Sequence, residues 1–113
     1  MNRKDFSLVR VAAAISDVKV ANVEYNVKSI MGLMSDAFSA DVDVIVFPEL
    51  CVTGYTCGDL FLSDNLIQNI KNGIHELQVF SDSIKATIIC GAPTVDEENS
   101  RLYNSATFLS TSL

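Results

Sequence analysis

A four-residue apolar run stopped by a proline constrains this chain more than any other feature. Val44-Ile45-Val46-Phe47 is continuous in apolar residues, the pattern of a strand covered on both faces rather than one with a wet side. Pro48 ends it, because proline has no amide hydrogen for the next ladder bond. Glu49 follows at once, which delivers a carboxylate to the carboxyl end of a buried strand, where open α/β sheets hold their ligands. Cys51, Gly54, Tyr55, Cys57 and Gly58 then fall within one loop that is long for a plain connection. A carboxylate beside apolar strand residues is expected to be desolvated, the condition that suits it to general-base work near neutral pH. Pairing with a basic residue, or capping a local amide, is the structural alternative.

The rest of the chain supplies a sheet and two helices around that strand. Residues 7–14 read as a first strand and 16–21 as a connection. Asn22 is placed to cap a helix over 23–39, whose Val27, Ile30, Met31, Met34 and Phe38 recur at helical spacing. After the loop, 59–62 reads as a short turn and Ser63 as the cap of a second helix over about 64–81. Ile67, Ile70, Ile74 and Leu77 would face inward there, with Lys71, His75 and Glu76 in water. Lys85–Gly91 reads as a third strand, Pro93 and Asp96–Ser100 as a turn, and Leu102–Leu109 as a fourth strand. The last connection is too short for a helix, so these two strands are expected to form an antiparallel hairpin. The order β-α-β-α-β-β predicts an α/β fold with both helices on one face of a four-stranded sheet. Such a layer leaves its other face bare, the anatomy expected of one part of a larger fold and of a surface that associates.

Other chemistries fit less well. The three cysteines include no C-x-x-C pair and suit reduced thiols better than a disulfide framework. Cys51 stands two residues beyond Glu49, but a neighbouring carboxylate opposes the thiolate that a nucleophile requires. Cys90, inside an apolar run, reads as core. Cys51, Cys57, His75 and Cys90 lack the tight pairs of a zinc site, and Asp41 and Asp43 precede the strand that Glu49 follows, so no metal site is expected. Gly54 and Gly58 make no phosphate loop and suit positions of positive φ. Asn104 stands among apolar strand residues, where an inward-facing amide would need partners and could orient Glu49. With 113 residues, net charge −6 and no Lys/Arg cluster, the chain has one core and no surface for nucleic acid. No segment has the roughly 18 apolar residues of a membrane helix, and Met1–Phe6 has no signal-peptide core. A soluble cytoplasmic protein is the expectation.

Phe47-Pro48-Glu49-Leu50-Cys51-Val52-Thr53-Gly54-Tyr55 resembles the nitrilase (carbon–nitrogen hydrolase) superfamily. The continuation Thr56-Cys57-Gly58-Asp59-Leu60-Phe61 resembles more narrowly the amino-terminal glutaminase domains of glutamine-dependent NAD synthetases. Val9–Ala14, Val18–Asn22 and Leu102–Ala106 extend the similarity along nearly the whole chain. The resemblance implies an α-β-β-α sandwich (an α+β, four-layer type), of which residues 1–113 would be an incomplete amino-terminal portion. It implies a Glu-Lys-Cys catalytic set in which Glu49 is the general base and Tyr55 a positional neighbour. Lys85 and Cys90 do not match the family's lysine and nucleophilic cysteine, so this segment alone is expected to be inactive. For the whole protein the resemblance implies glutamine as substrate and ammonia passed to ATP- and magnesium-dependent amidation of deamido-NAD in a further domain. It also implies a homo-oligomer. No cofactor is expected for the segment itself. Another nitrilase-type amidase and a non-catalytic α/β interaction module are the alternatives.

Overall fold

The computed structural model describes residues 8–54, 64–96, 98 and 101–110. Six elements follow one another: β1 (Val11–Ala13), α1 (Val23–Ser39), β2 (Val44–Val46), α2 (Asp64–Ile84), β3 (Thr87–Asp96) and β4 (Arg101–Leu109). They form one mixed sheet in the order β1-β2-β3-β4, with β1, β2 and β3 parallel and β4 antiparallel to β3. The two parallel crossovers each carry a helix, as parallel pairing requires, and the last two strands form the expected hairpin. The turn expected at 59–62 and the Ser63 cap fall outside the described residues.

Helix α1 forms where its cap and periodicity place it. The Asn22 side chain accepts from the Tyr25 amide at 3.1 Å, and Val23, Asn26, Val27, Ile30, Met34 and Ala37 are buried along one face. That face ends on Ala37, so Phe38, expected inside, is left 57% exposed. Helix α2 runs to Ile84, three residues beyond the expected end, and buries Leu66, Ile70, Gly73, Leu77 and Ser81. Its inward seam is therefore rotated from the expected one, with Ile67 and Ile74 at the margin. The rotation brings Gly73 onto Val23 and Val27 of α1. Ser81 stays inside the apolar seam because its hydroxyl donates to the Ala86 carbonyl at 2.8 Å.

Strand register fixes which side chains meet the helices. Ala12, Ile45, Ile88 and Leu109 lie in one row across the sheet, and Ile45, Ile88 and Leu109 are buried in the core with Cys90 and Ala92. The neighbouring row, Ala13, Val46, Ile89 and Phe108, faces the other way because successive side chains alternate. That second face is bare in this chain, with Val11 62% and Phe108 68% exposed.

Two strand limits differ from expectation. β1 is ordered as a strand for three residues only, matching the three of β2 that it pairs with. β3 continues through Pro93 to Asp96 rather than turning there. The Ile89 and Gly91 carbonyls both point toward the β2 side, accepting from Phe47 and Val52. By the two-residue repeat of a strand, the missing N–H of Pro93 falls on that same side, where β2 has already ended. Among the described residues no helix is long and apolar enough to cross a membrane.

Candidate functional site

Glu49 stands where the strand-stop pattern places it. The last bond carrying β2 forward is Phe47 N–H to the Ile89 carbonyl at 2.9 Å, and Pro48 supplies no donor to continue it. The chain then folds into a tight turn. The amides of Thr53 and Gly54 both donate to the Leu50 carbonyl, at 3.2 and 2.7 Å. Leu50 takes φ +53° and Gly54 φ +83°, and at Gly54 the left-handed backbone suits the residue without a Cβ. Val52 N–H returns to β3 by donating to the Gly91 carbonyl at 3.2 Å.

Asn104 reaches the Glu49 carboxylate from β4. Its Nδ2 donates to Glu49 Oε1, a bond spanning the sheet from the end of β2 to the middle of the hairpin. Asn104 does so from the bare face, not from the helix side, because it pairs with Pro93 in the row beyond Gly91 and Ala106. Together they edge a cleft of about 340 Å³ whose walls include Val46, Ile89 and Ala106. Glu49 itself is solvent-exposed, so the desolvation expected from its apolar neighbours is not present: those neighbours lie on the strand, while the carboxylate stands past its end on the bare face.

A residue that the sequence reading missed holds the turn from the other side. Asn26, fully buried on α1, donates through Nδ2 to the Val52 carbonyl at 2.7 Å and to the Lys19 carbonyl at 2.9 Å. Its Oδ1 accepts from the Lys19 amide at 2.7 Å. One side chain thus joins α1, the segment after β1 and the turn after Glu49. The available signal was an amide on an otherwise apolar helical face, which must find partners when buried.

The remaining candidates separate. Cys51 and Cys90 are buried free thiols. Burial pushes the Cys51 thiol up and outweighs the opposing backbone hydrogen bonding at Gly91 and at Cys51 itself. Burial, aided by the neighbouring Cys51, pushes Cys90 up to about 12. Both environments favour the neutral thiol, the opposite of what a nucleophilic cysteine needs. Asp43 sits at the far end of β2 from Glu49, where its carboxylate accepts from the Arg10 amide at 2.9 Å. His75 is exposed on α2. Among the described residues no three His, Cys, Asp or Glu side chains are grouped to hold a metal ion. Tyr55, Cys57 and Gly58 lie outside the described residues.

Known proteins resemble this chain in sequence and in fold. The family described as carbon–nitrogen hydrolase matches residues 9–112. A glutamine-dependent NAD(+) synthetase of Mycobacterium leprae is 30% identical over 101 residues, covering 89% of this chain and 15% of that protein. The crystal structure of a glutamine-dependent NAD(+) synthetase from Cytophaga hutchinsonii aligns with a TM-score of 0.77 at 29% identity. That match covers 91% of this chain and 17% of that one. An amidase from Nesterenkonia sp. aligns with a TM-score of 0.79 at 13% identity, over 91% of this chain and 38% of its own. At that identity the amidase shows the shared fold alone. The chain spans less than a fifth of the length of these synthetases.

Proposed function

The chain belongs to the carbon–nitrogen hydrolase family, and from that premise we propose that it is the amino-terminal portion of a glutamine-hydrolysing domain in an NAD synthetase, with Glu49 as general base. The observation that carries the reading is the presentation of Glu49: a strand-end carboxylate met by Asn104 beside an apolar-walled cleft. Likeness to the two glutamine-dependent synthetases supports glutamine as the substrate.

The chemistry follows from where the carboxylate stands. A general base accepts the proton of an attacking nucleophile and can return it to the leaving group. In this reading the nucleophile is the family's cysteine, supplied with its lysine by the rest of the domain. The thiol attacks the side-chain amide carbon of glutamine, its proton passes through Glu49 to the departing nitrogen, and ammonia leaves. Water then cleaves the thioester to release glutamate. Asn104 fixes one carboxylate oxygen so that the other can be aimed at these protons. Tyr55 takes a positional role on the strength of the motif resemblance alone. The ammonia serves a ligase domain that amidates deamido-NAD with ATP and magnesium, in a homo-oligomer of the cytoplasm.

The test is made with the intact protein supplied with deamido-NAD, ATP and magnesium. With glutamine present, NAD and glutamate are expected to appear in equal amounts, and ammonium is expected to replace glutamine. Release of ammonia from simple aliphatic amides, with no NAD formed, would replace this reading with that of an amidase.

A further inference from the structure

The Glu49 turn rests on β3 at a point where only glycine fits. Gly91 lies midway along β3, and its φ is not in the left-handed region, so its backbone conformation does not require glycine. Space does. An added Cβ would stand 2.3 Å from the Leu50 nitrogen and 2.9 Å from both the Cα and the carbonyl carbon of Glu49. These three atoms are backbone, and none can rotate out of the way. Ordinary contact would require the turn to lift by about 1 Å, in an interior packed too closely to absorb such a shift freely.

The turn cannot slide as a unit to make that room. Before it, Phe47 is bonded to Ile89 at 2.9 Å; after it, Val52 is bonded to Gly91 at 3.2 Å. Asn26 holds Val52 from α1 at 2.7 Å, and the Ala21 amide holds the Thr53 carbonyl at 2.9 Å. Leu50, already at φ +53°, has little conformational slack for a residue with a side chain. A push from Gly91 is therefore concentrated on Glu49 and Leu50.

We propose that Gly91 is a positioning residue for Glu49: its missing side chain lets the backbone of the turn seat on β3, and this seating sets where the carboxylate stands relative to Asn104 and the cleft. The inference rests on the reading of Glu49 as general base. It adds that the rate depends on a backbone contact made 42 positions along the chain from the carboxylate. A displacement of about 1 Å at a reacting group can cost roughly 100-fold in rate.

The experiment compares Glu49→Gln, Gly91→Ala and Gly32→Ala in the intact protein, with glutamine or ammonium as nitrogen source. Gly91→Ala is expected to lower kcat with glutamine by roughly 100-fold, leaving KM for glutamine and the ammonium-supported rate near wild type. A merely structural role would instead lower both rates together with the amount of folded protein. Gly32, with nothing within 4 Å of an added Cβ, is the control and should leave both rates unchanged. If Glu49→Gln itself retains glutamine use, the proposed function falls and this inference with it. If Glu49→Gln loses glutamine use while Gly91→Ala stays within threefold of wild type, the positioning role alone is overturned. Should Gly91→Ala fail to fold, Asn26→Ser loosens the same turn from α1 without touching β3. A fall in kcat at constant KM supports the seating of the turn as the control of Glu49, and an unchanged kcat overturns it.

Discussion

The same chemical change, glycine to alanine, should move stability in opposite directions at two positions of the helical layer. Gly32 and Gly73 both lie inside helices, in α1 and α2 respectively. On propensity alone each substitution stabilises by about 0.5–1 kcal/mol, because alanine has less backbone entropy to lose. At Gly32 an added Cβ meets nothing within 4 Å, so that gain should appear undiminished. At Gly73 the Cβ would stand 2.9 Å from both Val23 Cγ1 and Val27 Cγ2. Valine is stiff about χ1, and two such contacts on facing helices give way only if α1 and α2 part. Overpacking of this kind costs about 1–3 kcal/mol, which exceeds the propensity gain. The expected net effect at Gly73 is a loss of about 1 kcal/mol, a difference between the two variants of about 2 kcal/mol. Thermal unfolding of the intact protein reads this as a rise in Tm for Gly32→Ala and a fall for Gly73→Ala, each of roughly 2–4 °C for a domain of 150–250 residues. If Gly73→Ala raised Tm as much as Gly32→Ala, the close approach of the two helices at Gly73 would be refuted.

Two other predictions concern the site and the sheet beneath it. Cys90, held at about 12 in the folded chain against 9.0 for an unperturbed thiol, keeps its proton in a pH range where the unfolded chain loses it. Its contribution to stability is therefore full below about pH 9 and is lost as pH rises toward 12, with a slope of at most about 1.4 kcal/mol per pH unit. The fall in Tm between pH 9 and 11 should be shallower in Cys90→Ala than in wild type, and identical slopes would contradict the assignment. Asn104→Ala, which deletes the donor to Glu49 Oε1, should lower kcat with glutamine by roughly tenfold, the low end for losing a hydrogen bond to a charged group. The ammonium-supported rate should be unchanged, and full glutamine activity in that variant would remove Asn104 from the site.

What could be read in the sequence was what local chemistry decides. Helix α1 carries its own cap at Asn22 and its own apolar repeat, so its limits needed no knowledge of its neighbours. The β2 strand and the position of Glu49 followed from four apolar residues and a proline, and the hairpin from a connection too short for a helix. The misplaced features depend on distant segments. Strand β1 is short because β2 is short, and β3 is long because β4 pairs with it through Asp96. Phe38 has the right spacing for the apolar face, but Ala37 closes it and nothing buries the next position. Asn26 was missed because its role depends on Lys19 and Val52, whose backbone groups are its partners. Gly91 read as the end of a strand, whereas its reason is the backbone of Glu49 and Leu50 lying on it. The exposure of Glu49 could not be read from apolar neighbours in sequence, since they turn to the sheet and the carboxylate does not.

Glu49→Gln, assayed in the intact protein with glutamine and with ammonium in parallel, tests the central claim most directly. The substitution keeps the size of the side chain and one oxygen able to accept from Asn104, and removes the negative charge and with it the ability to take a proton. Glutamine-supported NAD formation should fall by roughly 10²- to 10⁴-fold, the usual contribution of a general base, while ammonium-supported formation stays within twofold of wild type. Glutamine use within a few-fold of wild type in that variant would contradict the assignment of Glu49 as the base.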